Sequence, residues 1–252
     1  MTPPPPGRPR FGRALLRLFA VQGSYNYERM LGLGMGVAEE PLLRGLPAEG
    51  ATSPYRAAVA RGAHFFNAHP YLAGLAVGAA ARAEHDGAPA ELIERLRGAL
   101  CGPLGSIGDR LIWAGWLPLL SGLTLAAISL GAGWTAVVAF LVVYNIGHVA
   151  LRWWALRQGW THGVRVASAL HHPLLQRGAA LAGPAMACAV GVALPLTAQY
   201  LASSFGTWAR TVLAVAAVLG FLAIGWLPGR LTGLRLALGM AAAALVVGWL
   251  WQ

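Results

Sequence analysis

The chain has 252 residues, of which 57% are hydrophobic and only 11% are charged, whereas soluble domains carry about 25% charged residues. This composition excludes an ordinary water-soluble protein and predicts an integral membrane protein. Arginine supplies all of the basic charge behind the net charge of +10. Since many of the arginines flank apolar stretches, we interpret them as positive-inside markers and contacts for anionic membrane lipids, and we expect no nucleic-acid partner.

Acidic and apolar residues are unevenly distributed along the chain. All nine acidic residues lie within residues 1–112, and residues 113–252 contain no Asp, Glu or Lys. The pattern predicts an all-α integral membrane protein in three parts: a disordered lead-in over residues 1–10, an amphipathic and re-entrant helical region over residues 11–112, and a transmembrane helical region over residues 113–252. The two cysteines are too few for a disulfide framework or a metal motif, and we expect no cofactor.

The helical region begins with an amphipathic segment, residues 11–20, whose leucines oppose two arginines. Such a segment suits the interfacial plane of a membrane. Residues 28–46 and 54–84 are predicted to be helical. Their apolar stretches, such as residues 71–81, have roughly half of the ~20 residues that a membrane span needs. They therefore indicate either core helices of a soluble part or re-entrant elements.

A first polar motif lies at residues 22–30, QGSYNYERM. Asn26, Glu28 and Arg29 offer amide, carboxylate and guanidinium groups beside two tyrosines. This combination is typical of sugar sites, where polar groups bind hydroxyls and an aromatic ring covers an apolar sugar face. The alternative is a helix N-terminus with a Ser or Asn cap, in which Glu28 pairs with Arg29 or with lipid headgroups. The residue types alone favour this alternative.

A second motif, HFFNAHP, lies at residues 64–70. Pro70 disfavours helical backbone at His69, which predicts a break that leaves backbone carbonyls and the Asn67 amide available. Transporters bind their substrates at such breaks near the middle of the membrane. The alternative is a plain helix end with Asn67 as a cap, and the residue types again favour it.

A third motif, GPLGSIGDR, lies at residues 102–110. Closely spaced glycines permit close backbone approach and positive φ angles, which predicts an irregular loop. The loop either lines a cavity, with Asp109 and Arg110 as an internal pair, or is a simple turn into the first span. Asp109 is a functional candidate because an acidic residue at the mouth of an apolar span is costly there.

The last region contains five predicted spans of bilayer length. They cover residues 113–131, 134–151, 179–200, 209–227 and 233–251. A short break at Gly131–Gly133 makes the first two spans a helical hairpin. The positive-inside rule places the N-terminus in the cytoplasm, since most connector arginines then lie on that side.

The remaining polar residues receive simpler interpretations. Asn145 and His148 lie one helical turn apart inside a predicted span, and we expect them to make interhelical hydrogen bonds. Glu39 and Glu40 precede a proline and are interpreted as a helix end or a solvated face.

Four segments together resemble the IID membrane subunit of the mannose/fructose/sorbose family of sugar phosphotransferase systems. LFAVQGSYNYERMLGLGMG, YRAAVARGAHFFNAHPYLAGLAVG and GPLGSIGD match the family's segments in order and spacing, and RWWALRQGWTHGVRV resembles the family's later aromatic stretch. The resemblance covers about residues 14–250.

The resemblance implies a function and a set of partners. The chain would be a non-phosphorylated membrane subunit rather than a self-contained enzyme, with several passes through the bacterial inner membrane. It would pair with a IIC subunit, form higher IIC–IID oligomers and import a hexose, while cytoplasmic IIA and IIB subunits pass phosphate to the sugar. The residues implied as sugar-binding or core residues are Asn26, Glu28, Arg29, Asn67, Asp109 and Glu84.

The chain departs from the family pattern at three places. Arg110 replaces the usual Pro after Gly-Asp, His85 replaces a second glutamate, and residues 203–208 replace a longer polar segment. These departures keep a second hypothesis open, namely a IID-like regulatory or assembly protein that no longer transports sugar. A third hypothesis is a membrane enzyme that acts on a lipid-linked sugar with Glu28 and Asp109 as an acid–base pair, which would require a defined carboxylate separation.

Overall fold

The computed structural model describes residues 8–50 and 53–204. The chain divides into two units, residues 1–195 and 196–252, and the packing and sites below belong to the first unit. Within the described ranges the backbone forms helices, turns and isolated β-bridges but no β-strand. The predicted all-α class is therefore confirmed for these residues. Nearly all of the predicted lead-in and the last two predicted spans lie outside them.

Eight α-helices make up most of the described chain. They are α1 (Phe11–Phe19), α2 (Gly32–Leu43), α3 (Pro54–Gly62), α4 (Ala73–His85), α5 (Ala90–Gly108), α6 (Leu117–Ser129), α7 (Trp134–His162) and α8 (Pro173–Ser204). A π-helical segment, Asp109–Trp116, joins α5 to α6, and a 3₁₀ segment, Gly163–His171, joins α7 to α8.

The predicted break in the second motif is present. The chain leaves helical conformation after α3 and resumes it only at α4, so that residues 63–72 form turns. Pro70 explains this break, because its ring disfavours helical backbone at the preceding residue. The N-terminus of α3 is also locally specified: the Ser53 Oγ accepts a hydrogen bond from the Arg56 backbone N–H at 3.4 Å, and Pro54 occupies the first helical turn.

The prediction of an irregular loop in the third motif was wrong. Helix α5 continues through its glycines to Gly108, and none of them has a positive φ angle. Leu100 and Leu104 on the same helix are almost fully buried. Burial of these leucines outweighs the roughly 1 kcal/mol that each glycine costs a helix interior.

A buried ion pair and a hydrogen bond from the same arginine fix α5 against α2 and α3. The Arg97 guanidinium donates to the Glu39 carboxylate at 3.1 Å and to the Gly62 carbonyl at 2.8 Å. Glu39 is only 1% exposed, so its interpretation as a solvated residue was wrong. Burial raises the pKa of Glu39 to about 7, although the neighbouring Arg97 acts to lower it.

Glycines bring α4 and α7 into direct backbone contact. A Cβ atom added at Gly74 would lie 2.9 Å from the Leu156 backbone nitrogen, and one at Gly78 would lie 2.6 Å from the Trp160 nitrogen. A Cβ at Gly159 would overlap the backbone of α4 in turn. Only residues without a side chain allow so close an approach. The contact fixes α4, which begins shortly after the second motif, against α7.

Two helical stretches are long and apolar enough to cross a membrane. They are Ala90–Ser129 and Trp134–Leu201, and the most apolar 18-residue window of each has a mean hydropathy of 1.8. Only 28% and 17% of these windows are buried inside the protein, so they are not core helices of a water-soluble domain. They contain the first three predicted spans. Gly131 and Gly133 turn between them with φ angles of +96° and +57°, as the predicted hairpin requires.

Candidate functional site

Backbone hydrogen bonds join the first motif to the second. The Leu31 N–H donates to the Phe66 carbonyl at 2.9 Å, and the Phe66 N–H donates to the Arg29 carbonyl at 3.2 Å. Met30, between these two bonds, has a positive φ of 51°, which is uncommon for a residue with a side chain. The two motifs therefore form one connected surface although more than 30 residues separate them in the sequence.

The third motif packs onto the second through Gly108. A Cβ atom added at Gly108 would overlap the His69 side chain. The missing side chain lets the end of α5 lie directly on the 63–72 break. All three motifs consequently meet in one place.

A cleft of about 660 Å³ lies where the three motifs meet, and we call it the polar cleft. Its size falls within the roughly 300–1,000 Å³ of small-molecule sites. The first motif contributes Gln22 and Tyr25; the second contributes Phe65, Asn67, Ala68, His69 and Pro70; the third contributes Gly102, Gly105, Ser106 and Asp109; and Leu31, Cys101 and Trp113 complete the lining.

Two of the six predicted site residues line the polar cleft. Asn67 and Asp109 are both exposed. Within the described ranges, neither side chain makes a hydrogen bond or an ion pair, and Asp109 does not pair with Arg110. Their amide and carboxylate groups are therefore free to bind a ligand.

The other residues predicted from the first motif do not line the cleft. The Asn26 Oδ1 accepts hydrogen bonds from the Glu28 and Arg29 backbone N–H groups at 3.1 and 2.8 Å. Its side chain thus builds the turn that carries the motif, which resembles the capping alternative more than sugar binding. Glu28 and Arg29 are exposed at the surface.

Glu84 also lies outside the cleft lining. Its carboxylate accepts two hydrogen bonds from the Arg61 guanidinium, at 2.9 and 2.7 Å. The Glu84 side chain is only 7% exposed. Such a bidentate pair holds α4 to α3, which is a structural role.

His69 is a cleft residue that sequence reasoning passed over. It is 2% exposed, and its Nδ1 accepts a hydrogen bond from the Tyr71 N–H at 3.2 Å. This bond places the ring proton on Nε2, which is buried without a partner among the described residues. Burial lowers the pKa of His69 to about 4, so the ring is neutral at physiological pH. The sequence predicted a helix break at His69 because Pro70 follows it, but it did not indicate that the His69 ring would be a hydrogen-bond donor.

An aromatic and cationic cluster lies beside the cleft on α7. The Tyr71 ring stacks on His148 with centroids 4.1 Å apart, and the Tyr71 and Tyr144 hydroxyls are 2.6 Å apart. Arg152 donates to the His148 Nε2 at 2.7 Å and to the Leu18 carbonyl of α1. Arg152 is 2% exposed and has no carboxylate partner within the described ranges.

Among the described residues, Asn145 and His148 do not make the expected interhelical hydrogen bonds. Asn145 donates to the Leu141 carbonyl of its own helix at 2.7 Å, and His148 accepts from Arg152 one turn away. Within the described ranges both side chains find a partner one turn away on α7 instead, an acceptor for Asn145 and a donor for His148. The His148 ring also stacks on Tyr71, the residue that directly follows the second motif.

The polar cleft has the chemistry of a site for a small polyhydroxylated molecule. The His69 Nε2 and the Gln22 amide can donate hydrogen bonds, whereas the Ser106 hydroxyl, which donates to the Pro103 carbonyl at 3.3 Å, can accept one. The Asn67 amide oxygen and the Asp109 carboxylate can accept them. Tyr25 and Trp113 supply aromatic surface. Among the described residues, no group of three or more His, Cys, Asp or Glu is arranged to hold a metal ion.

The fold and the cleft define a helical protein with membrane-capable helices and a ligand-sized polar site. Residues 8–193 match the family model of the "PTS system mannose/fructose/sorbose family IID component". The chain belongs to this family, as its motifs predicted.

Curated relatives agree with this assignment. The sorbose-specific EIID component of Lacticaseibacillus casei is 29% identical over 161 residues, which cover 62% of this chain and 56% of that protein. The mannose-specific EIID component of Escherichia coli K12 is 28% identical over 67% of this chain and 62% of the relative. The sorbose-specific EIID component of Klebsiella pneumoniae is 32% identical over 67% and 63%. The chain spans about three-fifths of the length of these relatives.

Two solved structures share the fold. The mannose transporter ManYZ in complex with microcin E492 matches with a TM-score of 0.54 and 24% identity, over 72% of this chain and 67% of that chain. A structure described as a membrane protein matches with a TM-score of 0.71 and 20% identity, over 96% of this chain and 97% of that one.

Proposed function

We propose that this chain is a working IID subunit that takes up a hexose together with a IIC membrane subunit. Separate cytoplasmic IIA and IIB subunits phosphorylate the sugar. The observation that carries the proposal is the convergence of the three motifs on one cleft with unpartnered Asn67, Asp109 and His69 groups. Family membership supplies the reaction context.

Each predicted residue has a part in this proposal. The Asn67 amide and the Asp109 carboxylate bind sugar hydroxyls, and the His69 Nε2–H donates a third hydrogen bond. Asn26 and Glu84 hold the surrounding backbone in place. Glu28 and Arg29, exposed and outside the cleft lining, contact the sugar path that the chain forms jointly with the IIC subunit.

The proposed location is the bacterial inner membrane, crossed several times, in a higher oligomer of IIC and IID subunits. The two long, weakly buried apolar stretches support a membrane location. Arg110, Arg157 and Arg177 lie near the ends of helical stretches that the sequence predicts as spans. By the positive-inside rule they support a cytoplasmic position of that side.

Phosphoenolpyruvate-dependent uptake of labelled mannose, glucose and fructose tests the proposal in cells that also contain IIC, IIA and IIB. We expect Asp109→Asn to lower uptake at least about tenfold, since a hydrogen bond to a charged group is lost. Asp86→Asn is the matched control, because Asp86 forms only an exposed pair with Arg82 on the same helix. Uptake by Asp109→Asn at the wild-type rate would remove Asp109 from the site.

The complete complex decides between transport and the regulatory alternative. Uptake that disappears when this chain alone is omitted identifies it as a transport subunit. A complex that assembles in the membrane and takes up none of the three sugars favours a IID-like regulatory or assembly protein.

A further inference from the structure

A second cavity, of about 510 Å³, lies between the π-helical segment with α6, helix α7 and helix α8. We call it the apolar groove. Its walls are almost entirely apolar and include Leu111, Trp116, Leu151, Trp154, Leu181 and Ala185. Most of these residues belong to helices that are apolar enough to cross a membrane. Water gains little from filling such a groove, whereas a hydrocarbon chain matches it.

The two outer walls of the groove are the π-helical segment with α6 and helix α8. Contacts at glycines show which residues of these two walls lie side by side. A Cβ added at Gly178 would lie 3.1 Å from the Leu111 side chain, and one at Gly122 would lie 3.1 Å from the Ala189 backbone. A Cβ at Gly115 would overlap Ala182. The paired positions 111–178, 115–182 and 122–189 all differ by the same number of residues. The two walls therefore run parallel and in constant register.

This register places Arg110 and Arg177 at the same level, one residue before the Leu111–Gly178 contact. Both side chains are exposed, and neither forms an ion pair with a described residue. No acidic residue follows Asp109 in the sequence, and Asp109 itself lines the polar cleft. Two guanidinium groups without an ion-pair partner among the described residues thus lie next to Leu111 and Gly178, which line the apolar groove.

We propose that the apolar groove binds an acyl chain of an anionic phospholipid whose phosphate is held by Arg110 and Arg177. The charge pattern favours this occupant over an uncharged apolar helix, which would leave both arginines without a counter-ion. Guanidinium groups bind phosphate oxygens in a bidentate manner. The lining of the first wall begins directly after Arg110, and all lining residues of α8 except Leu174 follow Arg177, so the phosphate would lie at the membrane interface and the chain in the hydrocarbon.

The lipid site is separate from the polar cleft and does not depend on sugar transport. It also gives Arg110 a role.

Native mass spectrometry of the full chain in detergent tests the proposal with phosphatidylglycerol and phosphatidylcholine of identical acyl chains. We expect the wild type to retain phosphatidylglycerol preferentially. In the double variant Arg110→Gln/Arg177→Gln the ratio of the two retained lipids should fall about tenfold or more, since each arginine near an anionic lipid contributes roughly a fivefold factor. Arg56→Gln, an exposed arginine on α3, is the control and should retain the wild-type ratio.

A groove-filling variant separates the acyl chain from the headgroup. Ala150 lines the groove, and Ala150→Trp should lower the retention of both lipids while thermal unfolding confirms an intact fold. A wild-type lipid ratio in the double variant, or an equal loss in Arg56→Gln, would overturn the proposal. So would an Ala150→Trp variant that loses IIC in co-purification but keeps its lipid, because the groove would then be a protein interface.

Discussion

At the scale of single residues, the buried Glu39 carboxylate joins α2 to α5 through Arg97, and its charge depends on pH. Burial raises its pKa to about 7, whereas a carboxyl group in the unfolded chain titrates near 4.5. The folded state therefore holds a proton on Glu39 between about pH 4.5 and 7, where the unfolded state releases it. The contribution of this group to stability is lost as the pH rises through this window.

Glu39→Gln should remove this part of the pH dependence. The amide mimics the protonated carboxyl group and can still accept a hydrogen bond from Arg97. We expect the wild type to lose up to roughly 3 kcal/mol of stability relative to the variant between pH 4.5 and pH 7. Thermal unfolding of both full chains in the same detergent, measured across this range, checks the difference. If stability changes with pH equally in the wild type and the variant, Glu39 has the same pKa in the folded and unfolded states.

The sequence predicted part of the cleft at this scale. Asn67 and Asp109 were named as site residues because their motifs resemble those of the family, whereas the residue types alone favoured a plain helix end for Asn67. His69 and Trp113 were missed, since a buried histidine and an aromatic residue in an apolar helix have ordinary structural explanations. Asn26 accepts a hydrogen bond from the Glu28 N–H, and Glu84 accepts one from Arg61. Composition alone does not reveal these partners.

At the scale of elements, the glycines of α5 fall into two classes that the sequence does not distinguish. A Cβ at Gly98 would meet nothing within 4 Å, whereas one at Gly108 would overlap His69. The difference lies in the helix face that meets the 63–72 break, which is a property of tertiary packing. The break itself was predictable, because Pro70 acts on its own neighbour.

The two glycines should respond oppositely to the same substitution. Gly98→Ala should stabilise the protein by about 0.5–1 kcal/mol, since alanine is the better helix former. Gly108→Ala should destabilise it by about 1–3 kcal/mol through overpacking and lower sugar uptake by shifting α5 at the polar cleft. Denaturation and uptake measurements on both variants check this. Equal stability of the two variants would contradict the packing at His69.

At the scale of the whole chain, the front helices and the long apolar helices form one interdependent structure. Sequence patterning separated an amphipathic region before residue 113 from an apolar region after it. In the structure, α7 extends well past its predicted span, to His162, and its last turns pack against α4 and α1. The length of an apolar segment predicts which residues lie in the hydrocarbon of the membrane, but it does not predict how far the helix continues into the protein core.

The bond between Arg152 and the Leu18 carbonyl has a consequence for biosynthesis. The two residues are 134 positions apart, and Phe11 packs edge-on against Trp160 at 5.2 Å in the same contact. Translation therefore delivers α1 long before the helix that covers it. Until α7 emerges from the ribosome, α1 can pack on α2, to which Arg17 binds through Glu40, but it lacks its contacts with Arg152 and Trp160.

We expect chains truncated after residue 133 to be cleaved by trypsin at Arg13 and Arg17 at least about tenfold faster than complete chains in the same membranes, since local opening governs such cleavage. Equal cleavage rates would mean that α1 reaches its final protection without α7. If the cleavage rate falls only in chains that contain the complete α7, the addition of this helix is the step that protects α1.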